Sequence, residues 1–281
     1  MEKAILKTLI YADIFDYPLK INEIHKWLIA KKATLRQIEK VLKGYKKYYF
    51  LPKRGNLVLQ RLRKEKQSVV YFRKAKILSQ ILKLIPWIKL VGISGGLAIN
   101  NAGKSDDIDL FIITRKDRLW LCRLLCLGLL SLTGQRRKVT DTGRKIAGKL
   151  CLNILLEEDK LEQKYKDIFV AHEVLQMKVL WQRNGIYSKY LADNNWAFKF
   201  LPNWMGAQVQ SSSPKANHPL DEKFKIIDFF ENLAKKFQLK IMQTPMGLER
   251  IEDGALYFHP DDIREEILKK YNQSLTSSAS F

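Results

Sequence analysis

Three short apolar runs constrain this chain most: Lys89-Leu90-Val91-Gly92-Ile93, Asp107-Ile108-Asp109-Leu110-Phe111-Ile112-Ile113 and Leu150-Cys151-Leu152-Asn153-Ile154-Leu155-Leu156-Glu157. Each reads as a buried strand bounded by polar or glycine-containing segments, and helical patterns lie before and after them. The expected fold class is therefore α+β, with a central mixed sheet flanked by helices. Strand periodicity puts Asp107 and Asp109 on one face while Ile108 enters the core.

Two carboxylates held side by side repel and raise each other's pKa unless a cation lies between them. Mg²⁺ suits that position because it prefers hard oxygen ligands and completes its octahedron with water and substrate phosphates. The turn Ser94-Gly95-Gly96 follows the first strand, and Leu97-Ala98-Ile99 begins a helix after it. Glycines there let backbone N–H groups approach a phosphate closely. Ser94, Gly95 and Gly96, with Lys104 in the loop that follows, are the nucleotide-binding candidates. A plainer reading has Asp107 and Asp109 solvating a strand end.

The glycine turn, the spacer and Asp107-Ile108-Asp109 together resemble the DNA polymerase β-like nucleotidyltransferase superfamily, whose pattern is Gly-Ser, a spacer and Asp-x-Asp. The resemblance implies transfer of a nucleoside monophosphate from an NTP to an acceptor, with Asp107 and Asp109 as catalytic metal ligands. Gly96 stands where serine is usual. The family's third carboxylate sits on a later strand, where this chain offers Asn153 in mid-strand and Glu157 at the strand end. Alternation along that strand would put Cys151, Asn153, Leu155 and Glu157 on one face. An amide coordinates Mg²⁺ weakly and takes up no proton from an attacking hydroxyl. An alternative function follows: a nucleotide-sensing regulator, weak or inactive in catalysis, whose N-terminal module binds DNA or a protein.

Asp13-Ile14-Phe15-Asp16-Tyr17-Pro18-Leu19, Ala171-His172-Glu173-Val174-Leu175-Gln176 and the segment from Asn195-Trp196 through Pro202-Asn203 are similar to stretches in a group of bacterial nucleotidyltransferase-domain proteins. That similarity implies an N-terminal helical module, a central nucleotidyltransferase domain and a helical C-terminal part. Residues 1–67 read as a winged-helix-like module, 68–160 as the nucleotidyltransferase core, 161–207 as a helical extension, 208–219 as a linker, and 220–281 as a helical region with a disordered serine-rich tail from Gln273.

Within the first module, Ile5, Leu9 and Ile10, then Ile21, Ile24 and Leu28, then Leu35, Ile38 and Val41 mark three helices, with Thr34 capping the third. Tyr48-Tyr49-Phe50-Leu51 and Leu57-Val58-Leu59, joined by a basic turn with Lys53 and Arg54, are expected to form the wing. Arg36, Lys40, Lys43, Lys46 and Lys47 would face a nucleic-acid groove. The formal net charge of +21 agrees with a polyanionic partner and agrees equally with a lysine-rich proteome. A second basic run, Arg136 to Lys145, precedes the third strand and is expected near the phosphate-binding turn.

Three cysteines, Cys122, Cys126 and Cys151, all in apolar segments, read as buried thiols in a reducing cytoplasmic compartment and argue against a disulfide framework. The four histidines are scattered without zinc-ligand spacing. No signal peptide is visible, and Leu119 to Leu130, interrupted by Arg123, is too short for a bilayer span and reads as a core helix. Ala171 to Trp181 reads as a helix on which His172 and Gln176 lie one turn apart, reaching a nucleotide base or acceptor or serving as packing.

Overall fold

The computed structural model describes residues 1–42, 44, 46–138, 140–204, 225–242, 250–258 and 261–279. In chain order its elements are α1 (Glu2–Asp13), α2 (Ile21–Lys26), α3 (Leu35–Leu42), α4 (Leu57–Leu82), β1 (Ile88–Ile93), α5 (Gly95–Ala98), β2 (Ile108–Thr114), α6 (Leu119–Leu132), β3 (Leu150–Glu157), α7 (Ile168–Gln176), β4 (Lys178–Gln182), α8 (Ile186–Asp193), α9 (Ala197–Phe200), α10 (Lys225–Met242), β5 (Arg250–Glu252), β6 (Ala255–Tyr257) and α11 (Asp261–Ala279). The linker read at 208–219 falls outside the described residues, as do Lys43, His218 and His259.

The strands form one mixed sheet in the order β4-β1-β2-β3-β6-β5. Strands β2 and β3 are parallel, which requires the long crossover through α6, and every other pair is antiparallel. Both faces are covered. Ile108, Leu110 and Ile112 of β2, with Leu150, Leu152 and Leu155 of β3, pack against Cys122, Cys126 and Leu130 of α6 on one side. Phe111 and Ile113 of β2, with Leu156 of β3, join α1, α7, α8 and α11 on the other. Leu119–Leu132 is thus the core helix expected from its composition, and no described helix is long and apolar enough to cross a membrane.

Parallel pairing slips within β3. Leu110 faces Leu152 but Phe111 faces Ile154, so Asn153 is the extra residue of a bulge. Because side chains alternate with period two, one inserted residue reverses the pattern downstream. Leu155 therefore joins the α6 side while Leu156 joins the α7 side. Uninterrupted alternation, which would have kept Glu157 with Asn153, does not hold.

Four further expectations are corrected. Leu57-Val58-Leu59 is no wing strand but the first turn of the 26-residue α4, and Tyr49 instead makes an isolated antiparallel bridge to Leu19. Arg54 is engaged by Asp13 and Asp16 instead of projecting from a wing. The helix beginning at Ile168 ends at Gln176, and Lys178–Gln182 becomes an edge strand because β1 offers it a backbone ladder. The serine-rich end remains helical to Ala279, with Thr276 and Ser277 hydroxyls donating to carbonyls one turn back.

The three N-terminal helices have a small core of their own, including Ile5, Leu19, Ile24, Leu28 and Ile38. Thr34 caps α3 reciprocally with Gln37. Arg61 of α4, 1% exposed, is buried against this bundle: its guanidinium holds both oxygens of Glu23 at 2.7 and 2.8 Å, donates to the Pro18 carbonyl, and lies 4.1 Å from the Tyr17 ring centroid. Tyr17 in turn donates to Ile99 O at 2.8 Å, and Asn101 Nδ2 donates to Phe15 O at 3.0 Å. The N-terminal helices are thereby fastened to the loop after α5.

On the opposite side of the sheet, Glu231 of α10 accepts N–H bonds from Trp120 and Leu121, capping α6 from a distant part of the chain.

Candidate functional site

Strand β1 delivers the chain to Ser94, whose N–H donates to Asp109 O at 3.0 Å, and the backbone then turns at Gly95 with φ of +62°. A side chain on Gly95 would be strained by that angle and obstructed as well, since its Cβ would stand 2.6 Å from Asp109 Oδ2. Glycine is what allows the carboxylate to lie against the turn. Gly96 is under no such pressure. Its nearest neighbour across the turn, Asn101 O, would be 3.6 Å from a Cβ, so a serine would fit there.

Asp107 immediately precedes β2 and Asp109 is its second residue. Cys151 is the cross-strand partner of Asp109, and one ligand atom from each of Asp107, Asp109 and Cys151 lies within 4.8 Å of the other two. The two aspartates are together, as the strand periodicity predicts. Arg137, from the basic run before β3, donates to Asp107 Oδ2 at 2.5 Å and approaches Cys151 Sγ at 3.9 Å. Burial raises the Asp107 pKa, the neighbouring Asp109 raises it further, and Arg137 opposes both. Burial, followed by Asp109 and Asp107, pushes the Cys151 thiol up to about 12, so it remains protonated at neutral pH.

The two proposed occupants of the third position separate. Asn153 is at the site: its Nδ2 donates to Ser94 Oγ at 3.1 Å. Glu157 is opposite Thr114, five residues beyond Asp109 along β2, about 17 Å at strand rise. The bulge also turns it toward the α6 and α10 side, where burial pushes its pKa up to about 7. Lys104 is exposed, and its carbonyl accepts a 2.8 Å bond from Tyr71 Oη.

Gly95, Gly96, Asp109 and Asn153 open onto a cavity of about 320 Å³, a volume at the small end of ligand sites. Its remaining walls come from across the chain: Tyr11 of α1 and Phe15 just after it, Trp27 after α2, Phe169 and His172 of α7, and Arg264 of α11. His172 and Gln176, one turn apart, both line it. His172 stacks on Tyr11 with 4.1 Å between ring centroids, and burial pushes its pKa down to about 3, keeping the imidazole neutral. Nothing in the local pattern of residues 8–27 marks them as cavity wall, because their role arises from contacts distant in sequence. The Arg137 pairing had a sequence signal, the basic run, but not its partner.

No protein-family model matches the chain, and no curated protein or solved structure matches it either. The site must therefore be read from its own chemistry. Asp107 and Asp109 offer the hard anionic oxygens that Mg²⁺ prefers. A protonated Cys151 is a poor ligand for that ion, so Asp107 and Asp109 are the two residues of the cluster that could hold it.

Proposed function

We propose that this protein is a Mg²⁺-dependent nucleotidyltransferase that moves a nucleoside monophosphate from an NTP to an acceptor hydroxyl or amine and releases pyrophosphate. The observation that carries this reading is the approach of the Asp109 carboxylate to Gly95, with Asp107 beside it and a cavity alongside. Mg²⁺, when bound by Asp107 and Asp109, would supply charge neutralisation and Lewis acidity at the phosphates. Backbone amides at Gly95 and Gly96 would hold phosphate oxygens, with Lys104 adding charge from the loop. Once Asp107 turns to the ion, Arg137 would pass its hydrogen bonds to phosphate oxygen.

In the transfer, the acceptor oxygen or nitrogen forms a bond to the α-phosphorus as the bond to the bridging oxygen breaks. The electron pair leaves with pyrophosphate, and the acceptor proton passes to Asp109, which lines the cavity. Positioning and preorganised charge would supply most of the rate. Pyrophosphate release with Mg²⁺ and each NTP should fall by at least about a hundredfold in Asp107→Asn and in Asp109→Asn. Activity that survives both replacements overturns the assignment.

A second reading has one specific observation in its favour: Asn153, an amide, holds Ser94 in the position where the resemblance expects a carboxylate. On that reading the domain senses Mg²⁺-NTP without turnover, and thermal stabilisation with no pyrophosphate release would distinguish it. A nucleic-acid partner rests on charge, with Arg36, Lys40, Lys46 and Lys47 all exposed. Duplex binding that weakens steeply as salt rises would support that partner, and no binding at low salt would dispose of it.

A further inference from the structure

Helix α10 is mounted on the sheet domain by its polar side. Glu231 accepts N–H bonds from Trp120 and Leu121, while Gln238 accepts from Arg123 at 2.6 Å and donates to Trp120 O at 2.8 Å. Ala234, one turn from each, is buried with them. An amphipathic helix ordinarily turns its apolar side inward. Here the large apolar residues stay outside: Ile226, Phe229, Phe230, Leu233, Phe237 and Ile241 are all at least half exposed, from 50% at Phe230 to 71% at Ile226. At about 100° per residue they form one stripe, about 120° wide, along the whole helix. A continuous apolar strip of that kind marks an interaction surface.

The charges beside the stripe decide what it meets. Helix α10 has two carboxylates, and both are taken up on the side away from the stripe: Asp228 pairs with Arg118 at 2.7 Å and Glu231 is buried against α6. Its four lysines are all exposed. Lys225 and Lys236 follow one edge of the stripe, Lys240 lies within it and Lys235 lies farther round. A second copy docking stripe to stripe would set these lysines against their equivalents, between two molecules each carrying +21. An anionic bilayer answers both properties at once, since acyl chains accommodate the phenylalanines and acidic headgroups attract the lysines. We propose that α10 is a membrane-surface helix, lying in the interface plane of an anionic bilayer with its apolar stripe inserted and its lysines at the headgroups. Lying on a bilayer differs from crossing one, for which no described helix is long and apolar enough. The inference makes no use of Asp107 or Asp109.

Co-flotation of the full chain with vesicles tests this, using phosphatidylcholine alone and an equal mixture of phosphatidylcholine and phosphatidylglycerol. The mixed vesicles should bind at least about ten times more tightly, and less so as salt is raised. The double variant Phe229→Gln/Phe237→Gln changes side chains that are 63% and 54% exposed, so its Tm should equal that of the wild type. It should nevertheless lose about tenfold or more in affinity for the mixed vesicles. Lys236→Glu/Lys240→Glu should lose a similar factor.

Mixed-vesicle binding untouched by the phenylalanine replacements would mean adsorption through charge elsewhere on the molecule. A lipid-free dimer in sedimentation that those replacements dissociate would mean that the stripe joins two copies. No vesicle binding would mean that a protein segment takes the face. Each of these overturns the proposal.

Discussion

At the level of single residues, Arg137 has the most revealing position. Its guanidinium pairs with Asp107, so on the proposed function it would compete with Mg²⁺ for that carboxylate. A hydrogen bond to a charged group contributes about 1.5–3 kcal/mol. Arg137→Gln should therefore bind Mn²⁺ about tenfold or more tightly at pH 8, as read by electron paramagnetic resonance. Unchanged or weaker Mn²⁺ binding would show that Arg137 is not a competitor. The aspartate pair was legible in the sequence because i and i+2 on a strand share a face whatever the rest of the chain does. Arg137 was legible only as part of a basic run, since its partner is thirty residues away in sequence.

Among the elements, β3 shows where such reading stops. Its boundaries follow from a continuous apolar run, but the bulge at Asn153 leaves no local signature, and it decides which face Glu157 takes. Buried on the α6 side with a pKa of about 7, Glu157 binds a proton in the folded state that the unfolded chain gives up near pH 4.5. Its contribution is fully present below about pH 4.5 and is lost as pH rises to about 7. Glu157→Gln retains a carbonyl oxygen for the Asp117 N–H and removes that loss. It should match the wild type at pH 4 and be more stable by about 2 kcal/mol at pH 8, visible as a Tm difference that opens between them. A constant difference across that range would refute the assignment. Helix α4 is hard to read from the sequence for a related reason. Its buried stripe carries Arg61, Ser68 and Ser79, so apolar periodicity is weak, whereas Leu57-Val58-Leu59 alone favours a strand.

Over the whole molecule, the N-terminal helices supply part of the cavity wall. Arg61 joins them to α4, and Tyr17, bonded to both Glu23 and Ile99 O, carries the connection to the loop after α5. Removing one partner of a buried ion pair costs about 3–5 kcal/mol. Glu23 keeps some solvent access, so Arg61→Met should lower stability by about 3 kcal/mol in urea denaturation. A loss below about 1 kcal/mol would show that the pair does not hold the module in place.

The cavity walls come from the first helix, the middle of the chain and the last helix. Gly95, Asp107 and Asp109 are synthesised before half the polypeptide has been made, yet the chamber beside them is complete only when Arg264 follows. An unfinished chain thus has the acids without the enclosure.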